Sequence, residues 1–210
     1  MCEFFREMRI FAALNKHTFN KMTAINTPVF DREKAINVVL YVANKLERRD
    51  FHKIFKVIYF ADKAHLSEWG RTISGDSYVA MNDGPVPTRI YDMFKIVRGD
   101  SLYSSDKKAF SFYSKFFDVN GNYFLVPKKD ADMKYLSPSD IEFLDKSLNE
   151  NKDLPFAVVR EKSHDFAWRN TAKDALIDFS DMMREDGNDE GFISFINEKM
   201  LVENFYASRH

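Results

Sequence analysis

Apolar residues recur at helical spacing along much of the chain, and the first clear case follows Thr27-Pro28. Ile36, Val39, Leu40, Ala43 and Leu46 stand at i, i+3, i+4, i+7 and i+10, which lines one face of a helix. Asp31 is placed to cap it, with Phe30 before it as a hydrophobic staple. The charged run Glu47-Arg48-Arg49 closes it, and Asp50 caps a second helix that extends to about Trp69. On this second helix Ile54, Ile58, Ala61 and His65 share one face, and Phe55, Tyr59, Asp62 and Leu66 share the next. Nearly half of its circumference is apolar, which predicts a central place in the core, and Gly70 is its C-terminal breaker.

Beyond Gly70 the period changes. Residues 71–82 read as a loop entering a short strand at 78–81, and Gly84-Pro85-Val86-Pro87 reads as a rigid turn. Pro87 suits the first turn of the next helix, where a missing N–H is unpaired anyway. That helix carries Ile90, Met93, Phe94 and Val97 up to Gly99, with Lys95 and Arg98 suiting the dipole of its last turn. Asn120-Gly121 is the preferred pair for a two-residue type I′ turn, so 112–119 and 122–127 read as a hairpin. Ser137-Pro138-Ser139-Asp140 is a helix start, followed by Ile141, Leu144 and Leu148. Leu154-Pro155 bounds a short helix from Phe156 toward Lys162, and Phe192, Phe195, Ile196, Lys199, Met200 and Phe205 mark a C-terminal one.

No repeat or low-complexity linker interrupts this pattern, so the fold class is α+β: a predominantly helical single domain with a small antiparallel β-sheet or hairpin. Residues 1–26 form an extension and 27–210 the domain. In the extension Phe4, Met8, Phe11 and Leu14 stand at helical spacing, and Met22 is a candidate alternative start that would make the first 21 residues dispensable.

Composition narrows the partners. Of 210 residues, 45% are hydrophobic and 21 are Phe, enough for a sizeable aromatic core. A net charge of −1 creates no global field for nucleic acid or anionic membrane. Seven acids against Arg184 alone within 174–190 read as a solvated face; the alternative is complementary charge for a basic partner. The single cysteine, Cys2, allows no internal disulfide and suits a reducing cytoplasm, and no stretch is apolar enough to span a membrane.

Candidate chemistry is sparse. Asp62 and His65, spaced i and i+3 with His164 elsewhere, are the residues a metal-dependent hydrolase would use, but such pairs are common by chance and His65 lies on the apolar stripe. Ser163-His164-Asp165 are neighbours in sequence, whereas triads are assembled in space. Arg48, Arg49, Lys53 and Lys56 form a modest basic patch, but a helix apolar on two faces cannot also lie in a DNA groove. No catalytic residue, metal ligand or cofactor is assigned, and a non-enzymatic protein-binding role is expected.

One stretch is specific as a whole. Tyr59-Phe60-Ala61-Asp62 and Ala64-His65-Leu66 are followed by Gly70, Ile73, Gly75-Asp76, Tyr78, Ala80-Met81, Gly84-Pro85-Val86-Pro87 and Ile90-Tyr91-Asp92 in fixed order and spacing. This resembles the signature of the Panacea domain of SocA-like antitoxins, and Ser163-His164 and Trp168 are similar to a second landmark of that family. The resemblance covers residues 30–205. It implies a cytoplasmic antitoxin of a toxin–antitoxin system, often encoded on a prophage, that neutralises a cognate protein toxin in a direct complex. A branch of the family instead hands its toxin to the protease ClpXP, the alternative partner. The residues so marked as partner-binding or motif-supporting are Asp62, His65, Trp69, Arg71, Asp76, Tyr78, Pro85, Pro87, Tyr91, His164 and Trp168. Rigid turns among them would present polar groups to a partner at little ordering cost; alternatively they only fix the chain path, with Asp76 capping a turn. Trp69 and Trp168 are expected in the core, and Asp62, His65 and His164 in one buried polar network.

Overall fold

Helices begin where the sequence places their caps. In the computed structural model, which describes residues 28–103, 105–121 and 123–207, the Asp31 side chain accepts from the Glu33 and Lys34 amides and opens α1 (Arg32–Lys45). Asp50 accepts from the Lys53 amide and opens α2 (Phe51–Trp69), which Gly70 closes in the left-handed conformation at φ +65°. There follow β1 (Tyr78–Met81), β2 (Gly84–Pro87), α3 (Thr88–Arg98), α4 (Lys107–Tyr113), β3 (Phe117–Asn120), β4 (Phe124–Pro127), α5 (Pro138–Asn151), α6 (Phe156–Ser163), α7 (Phe166–Arg169), α8 (Phe179–Glu185) and α9 (Glu190–Ala207). The architecture is mainly helical α+β, with two separate two-stranded antiparallel sheets among the described residues. The helical reading of residues 1–14 and the alternative start at Met22 fall outside the described residues.

α2 is the axis of the fold, as its broad apolar surface predicts. It packs against α1, α5, α6, α8 and β2, and it contributes to both hydrophobic clusters. Ile54, Val57, Ile58 and Ala61 join α1, α3, α5 and the β3–β4 hairpin in one. Tyr59 and Leu66 join Tyr78, Ala80, Phe179, Met182, Met183, Ile193, Ile196 and Met200 in the other. A helix apolar on several faces is stable only when enclosed on those faces.

Two turn assignments need correction. Residues 84–87 are a strand, and the turn is Asn82-Asp83: β2 pairs antiparallel with β1 in the register Met81↔Gly84, Val79↔Val86. Two prolines are tolerated because hydrogen bonding alternates along the ladder. Tyr78 and Ala80, opposite Pro87 and Pro85, turn their backbone groups to the other side. There Ala80 N–H donates to Ala175 O (3.0 Å), and Ala80 O and Tyr78 O accept from the Asp174 and Ile177 amides (2.8 Å each). The missing proline N–H groups therefore remove nothing from the ladder. Pro87 sits one residue before the first helical turn, as the N-cap of α3.

In the second hairpin Phe112 and Tyr113 end α4 rather than begin a strand, because the Asp106 side chain caps that helix through the Ala109 amide. Their aromatic rings pack on the core from a helix, which a period-two reading mistakes for strand. Asn120 pairs with Phe124, so the connection is longer than the expected two-residue turn, with Gly121 at φ +55°. α8 also departs from the acidic-run reading. Six of the seven acids are solvated, but Asp181 is buried and Phe179, Met182 and Met183 enter the core between them.

α5 starts with the expected capping box: Ser137 accepts from the Asp140 amide, and Asp140 accepts from the Ser137 amide. The fully buried Asp140 carboxylate also pairs with Lys34 and Arg71, at 2.8 Å each. Removing one partner of a buried ion network leaves uncompensated charge. Asp140→Ala is therefore expected to lower unfolding free energy by about 2–4 kcal/mol, read as a shifted urea midpoint at unchanged m-value.

Candidate functional site

The stretch from Gly70 to Ile90 is tied to α2 by carboxylates buried beneath it. Asp62 is inaccessible to solvent. Its carboxylate accepts from the Ile73 amide (2.8 Å), the Ser74 amide (2.9 Å), the Ser74 hydroxyl and the Tyr78 hydroxyl (2.7 Å). Burial raises its pKa to about 6, against the opposing pull of those four donors. Asp76 is likewise buried and accepts from the Ser77, Arg89 and Ile90 amides and from the Thr88 hydroxyl, at 2.8–3.1 Å. Pro87 offers α3 no side-chain cap, so Asp76 satisfies the start of that helix from across the hairpin. Burial raises the Asp76 pKa as well.

Beneath the hairpin lies Lys56, whose ammonium donates to Pro85 O at 2.7 Å. It is 1% exposed, and burial lowers its pKa to about 7. Gly84, at φ +94°, rests on Lys56 and on the Ser163 hydroxyl, so a Cβ at this position would overlap the hydroxyl and crowd the lysine. This explains the glycine of the Gly84-Pro85-Val86-Pro87 stretch by close packing as well as by backbone conformation.

On the opposite side Asp165 accepts from the Tyr59 hydroxyl (2.7 Å), from Lys63 (3.0 Å) and from the Trp168 amide (3.1 Å). Lys63 also reaches Glu185 at 2.6 Å, so one cation ties α2 to both α7 and α8. The His164 ring stacks on Trp168 at 3.7 Å and 6°, and the Trp168 indole donates to Met81 O at 2.9 Å. Arg160 donates to Asp83 at 3.0 Å, and His52 packs on Phe156 at 4.1 Å. Burial, reinforced by the nearby Lys56, lowers the His52 pKa to about 4; burial and Arg160 lower that of His164. The exposed hairpin tip, Met81-Asn82-Asp83, is thereby clamped between α6 and α7.

Asp62, His65 and His164 do not form the single network expected of them. Residues three apart on a helix point about 60° apart, so Asp62 faces the 73–78 segment while His65 faces α5. His65 Nδ1 lies 2.9 Å from Arg71 O and Nε2 lies 3.1 Å from the Ser139 hydroxyl. Arg71 continues the link to Asp140. His164 stands apart, at the end of α6. No group of three or more His, Cys, Asp or Glu among the described residues could hold a metal ion, and these three side chains are not brought together. Trp69 is also not core: it is 55% exposed, because it ends α2 with one ring face toward His65 at 6.2 Å and the rest turned outward. Trp168 is half-buried, Pro85 and Pro87 are buried, and Tyr91 packs edge-on against Phe51 and Phe55.

Sequence reasoning missed Lys56, Lys63, Asp140 and Asp165 as supports of this site. The available signal was the lysines set within a helix apolar on two faces, where a buried charge implies a dedicated partner.

Two measurements check these ties. Asp62→Ala, which strands four donors, is expected to cost about 3–5 kcal/mol of stability in chemical denaturation. Between pH 7 and 10.5 the unfolded chain keeps a proton on Lys56 that the folded chain has shed. Stability conferred at this residue therefore rises with pH across that window, by up to about 1.4 kcal/mol per pH unit. Lys56→Met is expected to remove that component, seen as a smaller rise in urea midpoint from pH 7.5 to 9.5 than in the parent.

The family model described as antitoxin SocA-like, Panacea domain, matches residues 54–169, more than half of the chain and the whole of the β1–β2 hairpin. No curated protein and no solved structure matches the chain. The locked Gly70–Ile90 stretch and the His164–Trp168 clamp thus lie within the matched span, and the chain belongs to the Panacea-domain family of SocA-like antitoxins.

Proposed function

We propose that this protein is an antitoxin that neutralises a cognate protein toxin by direct binding in the cytoplasm, and that the tip of the β1–β2 hairpin is its contact surface. One observation supports this reading above the others: Met81, Asn82 and Asp83 are exposed, while the residues below them are held by buried hydrogen bonds. A loop already fixed in place loses little conformational freedom on docking, so more of its contact energy appears as affinity. Apolar surface adjoins the tip, with Phe156 and Leu176 both exposed and Leu176 bridging to Val79. Buried aromatic and apolar anchors ringed by polar groups are the usual energetic centre of an interface. Membership in an antitoxin family supplies the partner class. Binding, rather than turnover of a substrate, is the activity proposed. No helix of the described residues is long and apolar enough to cross a membrane.

The test pairs this gene with any small open reading frame that adjoins it. Co-expression is expected to rescue growth from the neighbouring product and to yield a stable complex on purification. Met81→Asp and Asn82→Glu are expected to keep the parental melting temperature while weakening that complex about tenfold or more, a loss of about 1.4 kcal/mol. Full rescue by both variants would place the contact elsewhere. Rescue that occurs only when ClpX and ClpP are present would instead identify a proteolytic adaptor.

A further inference from the structure

Residues 81–86 of the β1–β2 hairpin are tied to the helices beneath them through nitrogen donors. Met81 O accepts from the Trp168 indole (2.9 Å), Asn82 O and the Asp83 carboxylate accept from Arg160 (3.4 and 3.0 Å), and Pro85 O accepts from Lys56 (2.7 Å). The hydrophobic clusters hold this stretch only weakly. Tyr78 and Ala80 belong to the second cluster, whereas from 81–86 only Val86, itself partly exposed, packs against one. Few buried apolar contacts mark a segment that can open before the molecule unfolds. Its limits are set on both sides: Ala80 is bonded to Asp174 and Ala175, and the Thr88 amide donates to Ser77 O.

Lys56 is the tie whose charge can change within the fold. Its ammonium has three N–H groups and one hydrogen bond, to Pro85 O, with Gly84 resting on it. Asp83 acts on it from the tip, and Asp165 from the start of α7, although Asp165 is shared with Tyr59 and Lys63. Asp83 is engaged by Arg160 of α6. His52, one turn earlier on α2, and His164, after α6, each oppose its charge when protonated. Burial prevails over the two carboxylates and holds the Lys56 pKa at about 7.

We propose that residues 81–86 open from α2 and α6 as a unit by taking up a proton at Lys56, so that the tip is fixed as pH rises and released as pH falls. In the closed hairpin Lys56 has lost its proton above about pH 7. Lifted into water, it keeps that proton up to about pH 10.4. Between these values opening binds a proton, and the opening constant falls about tenfold for each unit of rising pH. Below about pH 6.5 His52 acts in the same direction, since burial holds its pKa at about 4 and exposure returns it to the ordinary imidazole range. A partner docked on the fixed tip selects the closed, unprotonated form, so docking and proton uptake at Lys56 oppose each other. That consequence rests on the tip being the contact surface; the opening itself does not.

Amide hydrogen exchange of the full chain alone tests this. Met81 and Val86, paired with Gly84 and Val79 across the hairpin, report on the tip, and Ile58 within α2 reports on global unfolding. Corrected for intrinsic rates, protection at Met81 and Val86 is expected to rise about fiftyfold from pH 7 to 9. It is expected to change little in low urea, because a local opening exposes little surface. Ile58 is expected to exchange more slowly and with a steep urea dependence. In Lys56→Met the tip amides are expected to lose their pH dependence. Flat protection in the parent over pH 7–9 would overturn the proposal. So would an equal rise in Lys56→Met, or tip exchange with the free energy and urea dependence of Ile58. Co-expression rescue reports on toxin neutralisation separately, because no partner takes part in the exchange measurement.

Discussion

The structure depends on the burial of the Asp62 carboxylate against the chain that crosses it. A carboxylate removed from water is costly unless donors replace the lost solvent. Here the Ile73 and Ser74 amides and the Ser74 and Tyr78 hydroxyls replace it. The requirement runs both ways. Asp62 can be buried in α2 only if residues 73–78 take this path, and those residues can leave a helix without stranding polar groups only if Asp62 receives them. Asp76 repeats the device one step later, receiving the start of α3. Together they convert a stretch between helices into a fixed platform for the β1–β2 hairpin.

The hairpin shows how small residues and prolines serve the same end. Its ladder is protected on both edges. One side of β1 is paired with 174–177. The outer side of β2 carries Pro85 and Pro87, which have no N–H to offer a passing strand, and Lys56 takes the Pro85 carbonyl. Such an edge resists uncontrolled strand addition. The tip stays open to solvent, and it is the part of the platform with side chains left to present. Rigidity below and exposure above are the combination that a protein-recognition surface needs.

Some of the charge is used inside this molecule. Lys63 joins α2 to Asp165 and Glu185, and Arg71 joins the end of the α2 loop to Asp140 at the start of α5. These pairs cross between elements distant in sequence, and each has lost much of its water. Their main contribution is to select one arrangement of helices, since a misplaced partner would leave a buried charge alone. The balanced formal charge of the chain conceals this uneven placement.

Local signals alone determined a large part of the fold. The Asp31, Asp50 and Ser137 caps, the Gly70 and Gly99 stops and the four apolar residues of α3 are readable because capping and periodicity involve residues only a few positions apart. The order of residues from Tyr59 to Asp92 likewise marked the site segment and its family. Tertiary structure decided what these residues touch. Gly84-Pro85-Val86-Pro87 becomes a strand because β1 lies beside it and 174–177 takes the other edge. Phe112 and Tyr113 become the end of a helix because Asp106 caps it and the core receives their rings. Asp62, His65 and His164 separate because helical rotation sends the first two to different neighbours, while the third stacks on Trp168. Lys56 and Asp165 acquire their roles from groups many residues away. A buried hydrogen bond or ion pair is specified by convergence in space, and a linear pattern contains the donors and acceptors but not their pairing.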